Sequence, residues 1–284
     1  MIYSIKIVSE MFLKILFQKN LCAMVKHNLN KGGKMNKLFF VAVFATFFLV
    51  SGAIFAQEYK YQPSPNKAEY YFAKYKEGKD LTDFIGWVKG VETNILNKAS
   101  EYKNFEIALM QPYFHNDLTS HDVMFLGLWP NATEQFKGLE YWTKNGGAAM
   151  ALLPVVNVQV VDTWQWAISV PEGDMEVGAV RFSACKMKEG VTGRDMFDAY
   201  KDFANAAKAK GDNLGRKMIF PASGATEGVD FDFVYALYSA TVSELGAAAD
   251  NYWENINGSD EDERLGELLD GCFNYNTYIA NKVR

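Results

Sequence analysis

The spacing of apolar positions along the chain changes period in a regular order. Stretches 68–75 and 179–187 are dense in aromatic and β-branched residues and predict strands. Each runs into Lys-Glu-Gly, a turn signal. Residues 81–100 follow with Phe84, Trp87, Val88 and Val91, and residues 194–210 with Phe197, Tyr200 and Phe203. Spacings of three and four mark amphipathic helices. Strands are then expected at 105–110 and 217–220, and, past a proline-containing loop, at 122–129 and 231–238. A second helix follows each pair, N-capped at Asn131 or Thr133 in the first case. In the second, Thr241-Val-Ser-Glu244 has the form of a capping box. Strands at 155–170 and 272–283 close the series.

The order strand, helix, strand, strand, helix, strand therefore occurs twice, and the residues repeat with it. Lys74, Lys76, Glu77, Gly78 and Asp83 fall on Lys186, Lys188, Glu189, Gly190 and Asp195 at an offset of 112. At an offset of 109, Pro112 falls on Pro221, and Leu126-Gly127-Leu128-Trp129 on Tyr235-Ala236-Leu237-Tyr238. Each unit is a split βαβ of the ferredoxin-like kind. A four-stranded sheet with helices on one face leaves the other bare. We thus expect an α+β fold of two tandem ferredoxin-like βαββαβ repeats, at 64–171 and 175–284, packed sheet to sheet as an intramolecular pseudo-dimer. A monomer then suffices, with further association left open.

In element order and repeat the chain resembles the dimeric α+β-barrel superfamily, over nearly the whole length after residue 56. The resemblance implies a pocket without fixing a reaction, since that group includes cofactor-free monooxygenases, haem-binding enzymes, isomerases and units without known catalysis. No short motif matches, so no functional residue carries over from it.

The front end changes the picture of compartment. Residues 35–56, MNKLFFVAVFATFFLVSGAIFA, have a basic start, a short apolar run and small residues ending at Ala56. That is the form of a secretory signal cut before Gln57, too short in its apolar core for an anchor. Residues 1–34 carry scattered lysines without such logic, and we expect them to be a mis-called upstream extension. Taking the seven lysines and one glutamate of residues 1–56 from 29 basic and 34 acidic residues leaves 22 and 33, a net of −11. That balance argues against nucleic acid as a partner. We expect a periplasmic or secreted protein with no stable membrane anchor.

Cys185 and Cys272 lie in the first and last strands of the second unit, neighbours in a ferredoxin-like sheet. In an oxidising compartment they would join as a disulfide; two buried free thiols are the alternative. After residue 56 the only histidines are His115 and His121, flanking the loop YFHNDLTSHD. With Asp117 and Asp122 they could form a metal site, or one could ligate haem, but their spacing matches no standard ligand pattern, and no metal and no cofactor is expected. The acidic run Ser259–Glu263 reads as the first turn of a helix backed by Leu265, Leu268 and Leu269.

Trp87, Trp129, Trp164 and Trp166 of the first unit, with Tyr200, Tyr238, Phe273 and Tyr275 of the second, are candidates to line the space between the sheets. A ligand site for a small apolar or aromatic molecule is therefore placed in the first unit, around Tyr113, His115, His121, Trp129 and Trp166. The absence of a nucleophile–base pair, metal cluster or phosphate loop favours an exported small-molecule-binding or accessory protein. The alternative is a cofactor-independent monooxygenase acting on a small aromatic substrate, with no catalytic residue assigned.

Overall fold

The computed structural model describes residues 59–284 except 227 and 229. The expected signal segment and upstream extension, residues 1–56, lie outside the described residues. The strands are β1 (Pro65–Tyr75), β2 (Glu106–Phe114), β3 (Val123–Trp129), β4 (Val155–Ser169), β5 (Val177–Met187), β6 (Gly215–Ser223), β7 (Phe233–Tyr238) and β8 (Leu269–Lys282). The helices are α1 (Leu81–Asn94), α2 (Ala132–Asn145), α3 (Gly147–Ala151), α4 (Gly193–Ala209), α5 (Val242–Asn251) and α6 (Asp260–Leu268).

All eight strands form one closed antiparallel barrel, in the order β1-β3-β2-β8-β5-β7-β6-β4. Within each half the order is that of a ferredoxin-like sheet, and the halves join at two seams, β2–β8 and β4–β6. This is a dimeric α+β barrel made within one chain. Closure pairs the edge strands of both sheets and turns their bare faces inward, which removes the exposed ladders that an open sheet would present.

Helix starts are set by side-chain caps. Asp80, Thr192 and Thr241 form capping boxes with Asp83, Asp195 and Glu244, and Asn131 caps α2 by accepting from the Glu134 amide. The first predicted helix stops short at Asn94 and gives way to two 3₁₀ turns that bury Leu96 and Tyr102. The Lys-Glu-Gly turns require Gly78 and Gly190 at φ +69° and +85°, where a side chain would be strained.

Apolar burial falls into three bodies. Phe84, Val88, Val91, Tyr102, Phe105 and Trp129 fill the space under the helices of the first half. Met196, Phe197, Tyr200, Phe203 and Phe233 do so in the second. The barrel interior is lined by Ala68, Tyr70, Met110, Met124, Ile219 and Tyr278, with Phe72, Phe182 and Tyr238 partly buried.

The structure corrects the internal alignment. Asp122 donates its amide to Ala73 O and accepts from the Tyr75 amide; Asp232 does the same with Cys185 and Met187. The offset in the third strand is thus 110, not 109, so Tyr238 matches Leu128 and Trp129 matches Ser239. Side chains alternate faces along a strand, so this one-residue slip moves each onto the other face. Tyr238 points into the barrel, whereas Trp129 packs under the helices.

Cys185 and Cys272 are opposite one another on β5 and β8 and form a disulfide, with Cα atoms 4.1 Å apart. The counterpart of Cys272 in the first half is Asn157, which pairs with Ala73, and not the Thr163 that a fixed offset of 109 gives. The bridge closes a sequence separation of 87 residues. Replacing both cysteines by serine is expected to lower unfolding stability by about 2–4 kcal/mol, measured by denaturant titration. The same loss should appear in the native protein after reduction.

Candidate functional site

Two cavities stand on opposite sides of the first half's sheet. One, of about 150 Å³, lies between that sheet's outer face and helices α1–α3. Odd-numbered residues of β1 face this side, and they include Glu69 and Tyr71. Phe84, Trp87, Phe105, Phe125, Trp129 and Trp142 make the walls. Glycines seat two of these rings. A Cβ on Gly138 of α2 would stand 2.2 Å from the Trp129 ring, and one on Gly127 would stand 2.8 Å from Phe105 and 2.9 Å from Glu69.

Glu69 is the polar centre of this cavity. Trp129 Nε1 donates to its Oε1 at 3.2 Å, and Tyr71 Oη donates to its Oε2 at 3.2 Å. No cation pairs with Glu69 among the described residues. The nearby Lys67 is committed to Asp162 at 2.6 Å, and Asp162 also accepts from Gln135 Nε2 at 3.0 Å. Burial pushes the Glu69 carboxyl above the usual carboxylate range. The two hydrogen bonds resist that rise, and the charge of Asp162 adds to it. Tyr71 is pushed up by burial and then by the adjacent Glu69 charge. Gln135 Oε1 is buried at the cavity wall without a partner among the described residues, an acceptor open to a donor from outside them.

The second cavity, of about 550 Å³, is the open end of the barrel itself. Tyr70, Phe72, Phe182 and Tyr278 line its depth, and His115, Asp117, His121, Gln159, Asn274 and Asn276 its rim. The opposite end is filled: Lys217 Nζ donates to Gln165 Oε1 at 3.1 Å, and Gln165 Nε2 bonds Tyr70 Oη at 2.6 Å. Burial pushes the Lys217 amine down to about 8.

The residues singled out from sequence are distributed over three places. His115 and His121 come together at the barrel mouth, ring centroids 5.2 Å apart. Tyr113 is 61% exposed and stands outside that cavity. Trp129 lies on the other face of the sheet, bonded to Glu69. Trp166 belongs to the second half's core, between Phe197 and Phe220, because β4 crosses the seam to pair with β6. Of the eight aromatics from which the lining between the sheets was to be drawn, Tyr238 is there; Trp87 packs under helices of the first half, Tyr200 under those of the second, and Trp164, Phe273 and Tyr275 reach solvent. Glu69 was missed. Its signal was a lone carboxylate inside the apolar strand AEYYFAKY, visible only once the strand's two faces are both known to be covered.

No family model matches the chain, and no curated protein matches it. Among solved structures it is similar to an anthrone oxidase-like protein, at 10% identity over 78% of this chain and 94% of that one, with a TM-score of 0.44. It is likewise similar to a mutant chlorite dismutase from Candidatus Nitrospira defluvii, at 7% identity over 80% and 95%, TM-score 0.44. A heme-binding protein from Thermus thermophilus matches at 12% identity over 78% and 95%, TM-score 0.40. The assignment of the barrel rests on the strand order given above.

His121 provides a pH signature of the fold. Burial pushes its imidazole down to about 4; the neighbouring His115 adds to the drop, while Asp122 and Asp117 oppose it. The unfolded chain, with a histidine near 6.5, binds more protons in between, so stability is full above about pH 6.5 and falls as pH drops towards 4. In His121→Phe this part of the acid limb should flatten, as read from urea midpoints at pH 4 to 7. The change should be tolerated, because Phe231 occupies the equivalent place in the second half.

Proposed function

We propose that the chain is a cofactor-independent oxygenase of a small hydroxyaromatic substrate, bound in the cavity under α1–α3. The observation that carries this reading is Glu69, a half-buried carboxyl without a cationic partner among the described residues, inside an aromatic-walled cavity. A carboxyl raised by burial is a better proton acceptor at neutral pH than a solvated one. Glu69 takes the proton of the substrate hydroxyl, leaving an electron-rich phenolate. Dioxygen is the co-reactant: one oxygen atom joins the ring carbon, giving a quinone, and the other leaves as water with two substrate hydrogens. The surrounding rings exclude bulk water from the reacting anion, and Gln135 Oε1 is the second acceptor that orients the substrate.

Haem does not fit this cavity. The volume is too small for the macrocycle, no histidine lines it, and Cys185 and Cys272 are bridged elsewhere, so the usual His and thiolate iron ligands are lacking there.

The test is oxygen uptake with 1-naphthol and related phenols. Glu69→Gln is expected to lower the rate about 10²–10⁴-fold with the fold and binding retained. In the parent protein the rate should rise with pH through a carboxyl midpoint above 4.5, and that rise should vanish in the variant. An unchanged rate in Glu69→Gln overturns the reading. Saturable binding without oxygen uptake by the parent leaves a small-molecule-binding protein instead.

We also propose export through the signal segment 35–56. The Cys185–Cys272 disulfide supports an oxidising compartment. No described helix is long and apolar enough to cross a membrane. The intact mass of the exported chain should correspond to a start at Gln57; a start upstream of it sinks the proposed cut.

A further inference from the structure

The barrel mouth carries its own unexplained chemistry, on the face of the sheet away from Glu69. His121 is 4% exposed, and its Nε2 has no partner. One tautomer satisfies every hydrogen bond around it. With Ser120 Oγ donating to Asp117 O at 2.9 Å, the 2.8 Å contact with His121 Nδ1 is one in which Oγ accepts. In that tautomer Nδ1 carries the ring proton, and Nε2 is a bare lone pair. His115 is set the opposite way. Its Nδ1 accepts from the Asp117 amide at 3.0 Å, which leaves Nε2–H as a donor. One histidine thus offers an acceptor and its neighbour a donor.

A hydroxyl group both donates and accepts, and it satisfies that pair. The walls specify the rest of the molecule. Phe72 meets the His121 ring edge-on at 5.1 Å, Tyr278 stacks on it at 5.8 Å, and Phe182 meets Tyr278 at 5.6 Å. These are planar apolar surfaces. Among the described residues no lysine or arginine lines the cavity, which suits a neutral guest better than an anion. The lining carboxylate, Asp117, is already bonded to the Thr119 amide at 2.8 Å and hydroxyl at 2.6 Å. No group of three metal-ligating side chains occurs among the described residues. The volume, about 550 Å³, is ample for a two-ring molecule.

The second half shows that the fold does not need this histidine. Phe231 stands at the position equivalent to His121 and lines the same cavity. His115 lies off the end of β2, so of the three rings around His121 it is the one not held in a strand.

We propose that the open end of the barrel is a second binding site, for a small neutral molecule with a planar apolar body and a hydroxyl head held by His121 and His115. The experiment uses the full exported chain labelled with ¹⁵N-histidine, titrated with 2-naphthol and, separately, with naphthalene. In the free protein His121 should show a protonated Nδ1 and a bare Nε2. Its Nε2 resonance should move with 2-naphthol and not with naphthalene. Read at His115, the affinity for 2-naphthol should fall about tenfold in His121→Phe, the scale of one lost hydrogen bond, while naphthalene binding is unchanged. Glu69→Gln should alter neither titration, which separates this site from the cavity under the helices. A protonated Nε2 in the free protein overturns the proposal. So does equal 2-naphthol affinity in parent and His121→Phe, or a loss that appears in Glu69→Gln instead. A stoichiometric response of Nε2 to Zn²⁺ with none to 2-naphthol would mark a metal site and overturn it as well.

Discussion

The edge-to-edge pairing at the two seams is the constraint on which the remainder of the molecule depends. A four-stranded sheet covered on one side has two open edges and one bare face, and neither is tolerable alone. Pairing β2 with β8 and β4 with β6 removes both problems in one step, since curling the sheets together to meet at their edges also encloses their bare faces. It also defines three separate interiors. The seams are unequal. Pairing of β4 with β6 stops at Asp162–Ser223, so Val155–Val161 has a neighbour on one side only. There the loop after β6 takes over: Gln159 Nε2 donates to Gly224 O at 3.0 Å, and Gly224 approaches so closely that a Cβ would stand 2.0 Å from Val160 O. The barrel mouth is open where the ladder ends.

The two halves use the same frame for different ends. In the second, Tyr200 stacks on Tyr235 at 4.9 Å, Arg216 and Asp212 form a buried ion pair at 2.6 Å, and the disulfide ties the first strand to the last. At the position of Glu69 it carries Arg181, whose guanidinium lies over the exposed Tyr275. In the first half, glycines at 127 and 138 seat large rings beside a cavity around a carboxyl that no described cation pairs. Leaving such a group uncompensated costs stability, and a site that moves protons is a physical reason to retain it. The two candidate sites use opposite devices. Under the helices, burial raises a carboxyl; at the mouth, burial keeps an imidazole neutral.

The architecture was legible because it rests on periodicity, which is local. The alternation of two and the spacing of three to four mark each element, capping residues mark the helix starts, and repetition of the whole series dictates a pair of sheets. The opposed cysteines followed from the strand order of a single unit. What the chain does not carry locally is which face of the sheet each residue joins. The third strands align one residue away from the offset read from their apolar pattern, and that slip separates Trp129 from Tyr238 by the thickness of the sheet. Glu69 looks like an ordinary strand charge until α1 and α2 are seen to cover it, and Trp166 belongs to the second half's core only because β4 crosses the seam. The sequence by itself determined the elements, their order and the need for two sheets to meet. The tertiary structure alone decided the faces, because a side chain's surroundings depend on register and closure, and these are settled between strands distant along the chain.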